Sequence, residues 1–323
     1  MTNVSMMYNV SMNLSGSSDM PYLEYINTAM LFLIMISGII GNTVVILVQF
    51  RNKRKSTTDF FVITMAIFDL FSCLIILPLL IVDFRKRTLP IDVLSAFCKI
   101  ENYGIYTSAI GTSVLLSGTA VDRYYKISKP HSNAISPIRT RTFCIAVSVV
   151  TSVAFTPILY WMKYDGIKEG CGYVGDLWDV VSVMRKILAT GFGLLIVTTV
   201  FSYTMVARTI RKRRKIQPCN ASSVMNNLYK QDEKAYVRKF PKITFAFLMI
   251  ISVFVMTWII SVVGLAIPIQ SGFPLTVKRM LSVCHVINYV TNPLFYMWLH
   301  SMFRERVRQL VFLCWNGRKN IRM

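Results

Sequence analysis

Apolar residues run along this chain in seven long stretches, separated by short segments that are polar or basic. The stretches extend over about Ile26 to Phe50, Asp59 to Phe84, Ser95 to Lys126, Thr142 to Trp161, Val181 to Ile210, Lys239 to Pro268 and Leu275 to Leu299. A helix rises 1.5 Å per residue, so roughly 20 apolar residues cross a hydrocarbon core about 30 Å thick. The pattern predicts an all-α membrane protein, a seven-transmembrane helix bundle. After the last stretch, Met302 to Phe312 alternates charge and bulk at helical spacing, which predicts a short amphipathic eighth helix lying on a leaflet. The chain divides into a polar tail (1–25), the bundle (26–300) and the amphipathic helix with a terminal tail (301–323), with no internal repeat or separate domain.

Composition agrees with this reading, and charge orients it. Hydrophobic residues make up 54% of the chain and charged residues 16%, where a soluble domain carries about 25% charge. The formal net charge of +21 would suggest nucleic acid in a soluble protein, but 26 of the 36 Lys and Arg fall on one side of the predicted topology. They cluster at Arg51 to Lys55, Arg123 to Arg141, Arg208 to Lys242 and Arg304 to Arg322, while the other side holds 10 against nine acids. Positive loops stay in the cytoplasm, which places the C-terminus inside and the N-terminus outside. Basic residues divided among loops, with no accompanying motif, argue against nucleic acid and for anionic lipid head groups. Met1 to Glu24 lacks a basic start followed by an apolar core, so the first span is expected to act as its own insertion signal. Sequons at Asn3, Asn9 and Asn13 in a tail placed outside predict glycosylation. A further sequon, at Asn220, falls inside and is expected to stay unmodified.

Several spans carry landmarks. Span three opens at Cys98 and ends in Asp122-Arg123-Tyr124, with Pro130 just beyond. Span one holds Gly41-Asn42, span two Met65-Ala66-Ile67-Phe68-Asp69-Leu70, and span five Phe192 and Tyr203. Span six has Phe254 and Trp258 one turn apart, and span seven runs Asn288-Tyr289-Val290-Thr291-Asn292-Pro293-Leu294-Phe295-Tyr296. In that order and topology the set resembles the rhodopsin-like (class A) G protein-coupled receptors over roughly Ile26 to Phe312. The chain departs from the family pattern at Leu195 and Ile260, where most members have proline, and in span four, which lacks the usual tryptophan. At the foot of span six Phe240, flanked by Lys239 and Pro241, stands where many members carry an acid that holds the span-three arginine.

The cysteines follow the topology. Cys73, Cys144 and Cys284 lie in apolar runs and read as small buried hydrophobes. Cys98 and Cys171 are the two placed in oxidising space, and they are the expected disulfide, as the family pattern also has it. Cys314, at the end of the amphipathic segment, is a candidate palmitoylation site against the alternative of a free thiol.

The resemblance implies the remaining roles. Asp122, Arg123, Tyr124, Tyr203, Asn292, Pro293 and Tyr296 would serve G protein coupling and activation, and Phe254 with Trp258 would form the toggle. Asp69 is the acid inside an apolar span, where it costs roughly 2.5–3.5 kcal/mol to insert, so a functional role is the default. Asp69, Thr112, Asn288 and Asn292, with Asn42 nearby, would hold an allosteric sodium ion, since carboxylate, amide and hydroxyl oxygens suit a hard cation. A hydrogen-bonded polar core without an ion is the alternative. No other cofactor is implied.

Glu101, Asn102, Ile105, Tyr106, Lys278 and Arg279 would line the ligand pocket, over Trp258, by family analogy. Ile105 replaces the acid of amine receptors, and no lysine lies between His285 and Leu299 for a retinal Schiff base. Lys278, Arg279, Arg185 and Lys186 near the outer ends would suit an acidic ligand or a peptide carboxylate, or simply mark membrane boundaries. His285 reads as a core histidine. The expectation is a multi-pass plasma-membrane receptor, not an enzyme, that couples an extracellular ligand to a heterotrimeric G protein. A peptide is favoured over a small anionic metabolite or lipid acid, with arrestin and membrane lipids as further partners. A transporter would show inverted repeats and broken helices, and an enzyme would cluster its acids with His131, His285 or His300; the sequence shows neither.

Overall fold

The computed structural model describes residues 21–53, 55–83, 89–128, 135–165, 170–173, 190–202, 204–209, 225–267, 275–299 and 301–321. Among the described residues six helices are long and apolar enough to cross a membrane: Tyr22–Arg51, Thr57–Val82, Ile91–Lys126, Pro137–Trp161, Thr190–Thr209 and Phe245–Gly264. They are the first six predicted spans. Span two starts on a capping box, in which Ser56 Oγ accepts from the Asp59 amide and the Asp59 carboxylate accepts from the Ser56 amide. Span six belongs to a helix that extends from Met225 to Ala266, unbroken through Ile260 where the family's proline is missing.

Span seven differs from the single helix expected. It is built from Leu275–Ser282, a 3-10 turn Cys284–Ile287 and a second helix Asn288–Leu299. The His285 amide donates to Ser261 Oγ of span six at 2.8 Å, and the local backbone tightens to reach it. Lower down, Pro293 sits inside the helix and has no N–H, so the carbonyl of Tyr289 loses its intrahelical donor. Asn42 Nδ2 takes that place at 2.7 Å from the Tyr289 oxygen. Gly41 beside it lets the proline ring come close: a Cβ there would lie 2.8 Å from Pro293 Cγ. The Gly-Asn of span one and the Asn-Pro of span seven are thus one packing unit.

Span two contains a second irregularity that the pattern did not predict, a π-turn at Ser72–Ile76. Pro78 cannot donate to the carbonyl four residues back, and the ladder widens just before it, with the Leu77 amide bonded to the Ser72 carbonyl five residues away. The outer loop after span four also holds structure that an all-α reading omits. β1 (Met162–Asp165) and β2 (Gly170–Tyr173) form an antiparallel hairpin in the register Tyr164 to Cys171. The Cys98–Cys171 disulfide pins β2 to the mouth of span three, and Ser95 Oγ accepts from the Tyr164 amide at 3.2 Å.

The core lies in two layers. The inner one gathers Val45, Met65, Leu115, Phe247, Ile251, Phe254, Tyr296 and Phe303 from five spans and the amphipathic helix. The outer one joins Leu31, Ile76, Leu77, Val286 and Tyr289. The amphipathic helix is longer than expected, Ser301–Ile321. Its Phe303 is buried against Tyr296, Val311 and Phe312 are exposed, and Arg306 donates to Gln49 Oε1 of span one at 3.1 Å.

Candidate functional site

A column of polar and aromatic side chains runs through the bundle from the hairpin to the inner face. At the outer end Glu101 is buried, while Asn102, Ile105 and Tyr106 are half-buried. Consecutive turns of span three point these residues to different neighbours. Asn102 donates to the Cys98 carbonyl, Ile105 packs on the cluster of spans one, two and seven, and Tyr106 stacks on Phe155 at 5.9 Å. Lys278 and Arg279 are half-buried on the first helix of span seven.

Below them lies the toggle. Phe192, Phe254 and Trp258 form a triangle of rings with centroids 5.8–6.4 Å apart, so spans five and six meet through aromatic contact. Trp258 also stacks on His285 at 4.7 Å, which the sequence reading had not linked to it. His285 Nδ1 lies 3.2 Å from the Ser282 carbonyl and 3.4 Å from Ser261 Oγ. One turn further in, Asn288 Nδ2 donates to Thr257 Oγ1 at 2.8 Å. Ser261 and Thr257 therefore clasp span six to span seven. They are polar residues in an otherwise apolar run, and that was the signal available in the sequence.

Span five reaches span three through Ser117, which bonds Thr199 Oγ1 at 2.8 Å and donates to the Leu195 carbonyl at 3.3 Å. Beside this junction a small, partly open pocket of about 10 Å³ is lined by Ser113, Leu116, Leu195, Ile251 and Phe254 among others.

At mid-membrane Asp69 accepts from Asn292 Nδ2 at 2.8 Å. The other residues expected around it are divided: Asn288 turns to Thr257, Asn42 turns to the Tyr289 carbonyl, and Thr112 is buried. Asn288 Oδ1 and Asn292 Oδ1 are buried without a donor. A carboxylate with donorless amide oxygens on the facing span is a set that fits a hard cation.

The inner end is built around Asp122, fully buried, and Arg123, 4% exposed. Asp122 Oδ1 accepts from Thr57 Oγ1 at 2.7 Å and Oδ2 lies 3.0 Å from Lys126 Nζ. Lys126 Nζ also donates to Thr57 Oγ1, and Arg123 Nη2 donates to Thr58 Oγ1. The guanidinium stands over the Phe247 ring of span six, 5.4 Å from its centroid. Phe247 in turn meets Tyr296 at 6.1 Å. Tyr124 is half-buried against Tyr125. Thr57, Thr58 and Lys126 were not singled out in the sequence; the spacing of Lys126, one turn after Asp122, was the visible hint. Tyr203, Asn3, Asn9 and Asn13 lie outside the described residues, as does the Cys314 side chain.

Seven spans with these junctions define a multi-pass membrane protein of the receptor type. The chain belongs to the rhodopsin family of seven-transmembrane receptors, whose sequence model matches residues 41–296. Among its relatives is the galanin receptor type 1 of Rattus norvegicus, 26% identical over 308 residues, covering 90% of this chain and 83% of the relative. The neuropeptides B/W receptor type 2 of Homo sapiens is 25% identical over 96% of this chain and 92% of its own length. The neuropeptide F receptor of Drosophila melanogaster is 20% identical over 92% of this chain, which spans 64% of that relative's length.

Proposed function

We propose that this protein is a plasma-membrane receptor, N-terminus outside, that couples an extracellular peptide to a heterotrimeric G protein by population shift. The observation that carries the reading is the buried Arg123, held between Thr58 of span two and the Phe247 ring of span six, which in turn meets Tyr296 of span seven. Its relatives named for galanin, neuropeptides B/W and neuropeptide F favour a peptide over a small acid. A peptide bound over Trp258 would bias the Trp258–His285 stack and the Ser261 and Thr257 clasps, and so the position of span six. Release of Arg123 would then expose it to the G protein, with Tyr296 and Tyr203 closing around it. Arrestin would use the same inner face. Asp69, Asn288, Asn292 and Thr112 would hold sodium in the resting state, the cation lending charge balance to the buried carboxylate. Asn3, Asn9 and Asn13 would carry glycans.

The test is a peptide library applied to cells that display the chain, with G protein dissociation as readout. One or more peptides should activate the wild type, and Arg123→Ala at equal surface expression should abolish the response. Activation by small acids alone would overturn the peptide assignment, and a ligand response that survives Arg123→Ala would overturn the coupling role of Arg123.

A further inference from the structure

Span six offers Arg123 the Phe247 ring, and its sequence carries Phe240 where many members have an acid. Span two supplies what span six lacks. Thr57 donates its hydroxyl proton to Asp122 Oδ1 and accepts from Lys126 Nζ, while Lys126 also faces Asp122 Oδ2 at 3.0 Å. The three side chains close a ring in which every hydrogen bond has a consistent direction. Asp122 is fully buried and needs a counter-charge, which Lys126, one turn on, gives it at 3.0 Å, while Arg123, next in the chain, is turned to Thr58 and the Phe247 ring. Arg123 in turn donates a hydrogen bond to Thr58 Oγ1, the neighbour of Thr57 on the first turn of span two.

We propose that Lys126, Thr57 and Thr58 form a latch between spans two and three that sets the resting state: Thr58 holds Arg123, and Lys126 occupies Asp122 and so weakens the grip of Asp122 on Arg123. Lys126 and Thr58 are positioning residues that act through Asp122 and Arg123, and the idea rests on the receptor reading above. The latch has opposite signs at its two ends. Removing the Thr58 hydroxyl frees Arg123; removing the Lys126 charge leaves Asp122 with Arg123 as its counter-ion and tightens the restraint.

The experiment uses the full chain in lipid nanodiscs, with Cys219→Ser and Cys314→Ser to silence reactive thiols, and a bimane fluorophore on Phe245→Cys. Phe245 is exposed at the inner part of span six, so the probe reads the position of that helix without any G protein. Ligand-independent nucleotide exchange on added G proteins is measured in parallel. Losing a hydrogen bond to a charged group should raise the open fraction in Thr58→Val by about tenfold or more. Thr58→Ser, which keeps the hydroxyl, should match wild type. Lys126→Met, which keeps the stem, should lower the open fraction, and in an Asp122→Asn background it should change nothing. Equal bimane signals in wild type, Thr58→Val and Lys126→Met would overturn the latch. An effect of Lys126→Met on the bimane signal that persists in the Asp122→Asn background would overturn its action through Asp122 and assign it to the contact of Lys126 Nζ with Thr58 Oγ1 at 3.4 Å instead. Bimane changes without nucleotide exchange by any G protein in any variant would support the latch and refute the receptor reading instead.

Discussion

Spans six and seven come close together at Gly264, and adding one methyl there gives a sharp test of the packing. A Cβ on Gly264 would stand 2.6 Å from the Ser282 amide nitrogen, 2.7 Å from Leu281 Cβ and 2.8 Å from the Leu281 carbonyl carbon. Carbon atoms pack comfortably at about 3.5–4.0 Å, so the overlap approaches 1 Å, and two of the three neighbours are backbone that no rotamer change can remove. The helices must separate, and overpacking of this kind costs about 1–3 kcal/mol. Gly193 in span five is the control, because a Cβ there meets nothing within 4 Å. Both substitutions gain the same helix propensity, about 0.8–1 kcal/mol for Gly to Ala, so their difference isolates the strain. Thermal unfolding of the two purified variants in one detergent should show Gly193→Ala at or above wild type and Gly264→Ala below Gly193→Ala by that margin. Separation would also stretch the Ser261–His285 bond one turn away, so Ser261→Ala should cost less in the Gly264→Ala background than alone. Equal stability of the two glycine variants would refute the close approach.

Three further outcomes are expected. Asn42→Leu removes the donor that the Pro293 ring makes necessary at the Tyr289 carbonyl, and a buried acceptor left unmade should cost about 1–3 kcal/mol in an unfolding assay; an unchanged melting temperature would contradict this. Breaking the Cys98–Cys171 bridge, whose partners are 73 residues apart, should cost up to about 4 kcal/mol and lower surface expression, read by flow cytometry of Cys171→Ser cells. Titrating sodium chloride against choline chloride should raise the melting temperature of the wild type and leave Asp69→Asn flat; a flat wild type would remove the cation from the Asp69 site.

Much of this architecture is written in the pattern of apolar runs, because crossing a bilayer demands length and hydrophobicity, which sequence displays directly. Six spans and the Cys98–Cys171 bridge follow from it. The irregularities do not, since each depends on a partner distant in sequence. The 3-10 turn at Cys284–Ile287 exists for Ser261 on another helix, and the Asn42 bond exists because Pro293 frees a carbonyl. The family pattern groups Asn42, Asn288 and Asn292 around Asp69, but only Asn292 bonds it; nearer acceptors take the other two amides, Thr257 Oγ1 that of Asn288 and the Tyr289 carbonyl that of Asn42. At the inner face the sequence revealed the missing acid of span six but not its counterpart in span two, because a Thr-Thr pair at a helix start reads first as capping. The hairpin was masked by its shortness, four residues in each strand.

Between Phe245 and Ala266 no proline interrupts span six, and Gly264 presses its outer end against span seven. A rod held at one end moves most at the other. From Gly264 to Phe247 the helix measures about 25 Å, so a tilt of about 10° at the glycine sweeps the inner end by about 4 Å. That is enough to strip the Phe247 ring from Arg123, with no bend required within the helix. Where a proline-kinked helix divides its motion at a joint, an unkinked one would convert angle into distance with a fixed gear ratio, and stiffness would be the means by which a small event at the mouth is made large at the inner face.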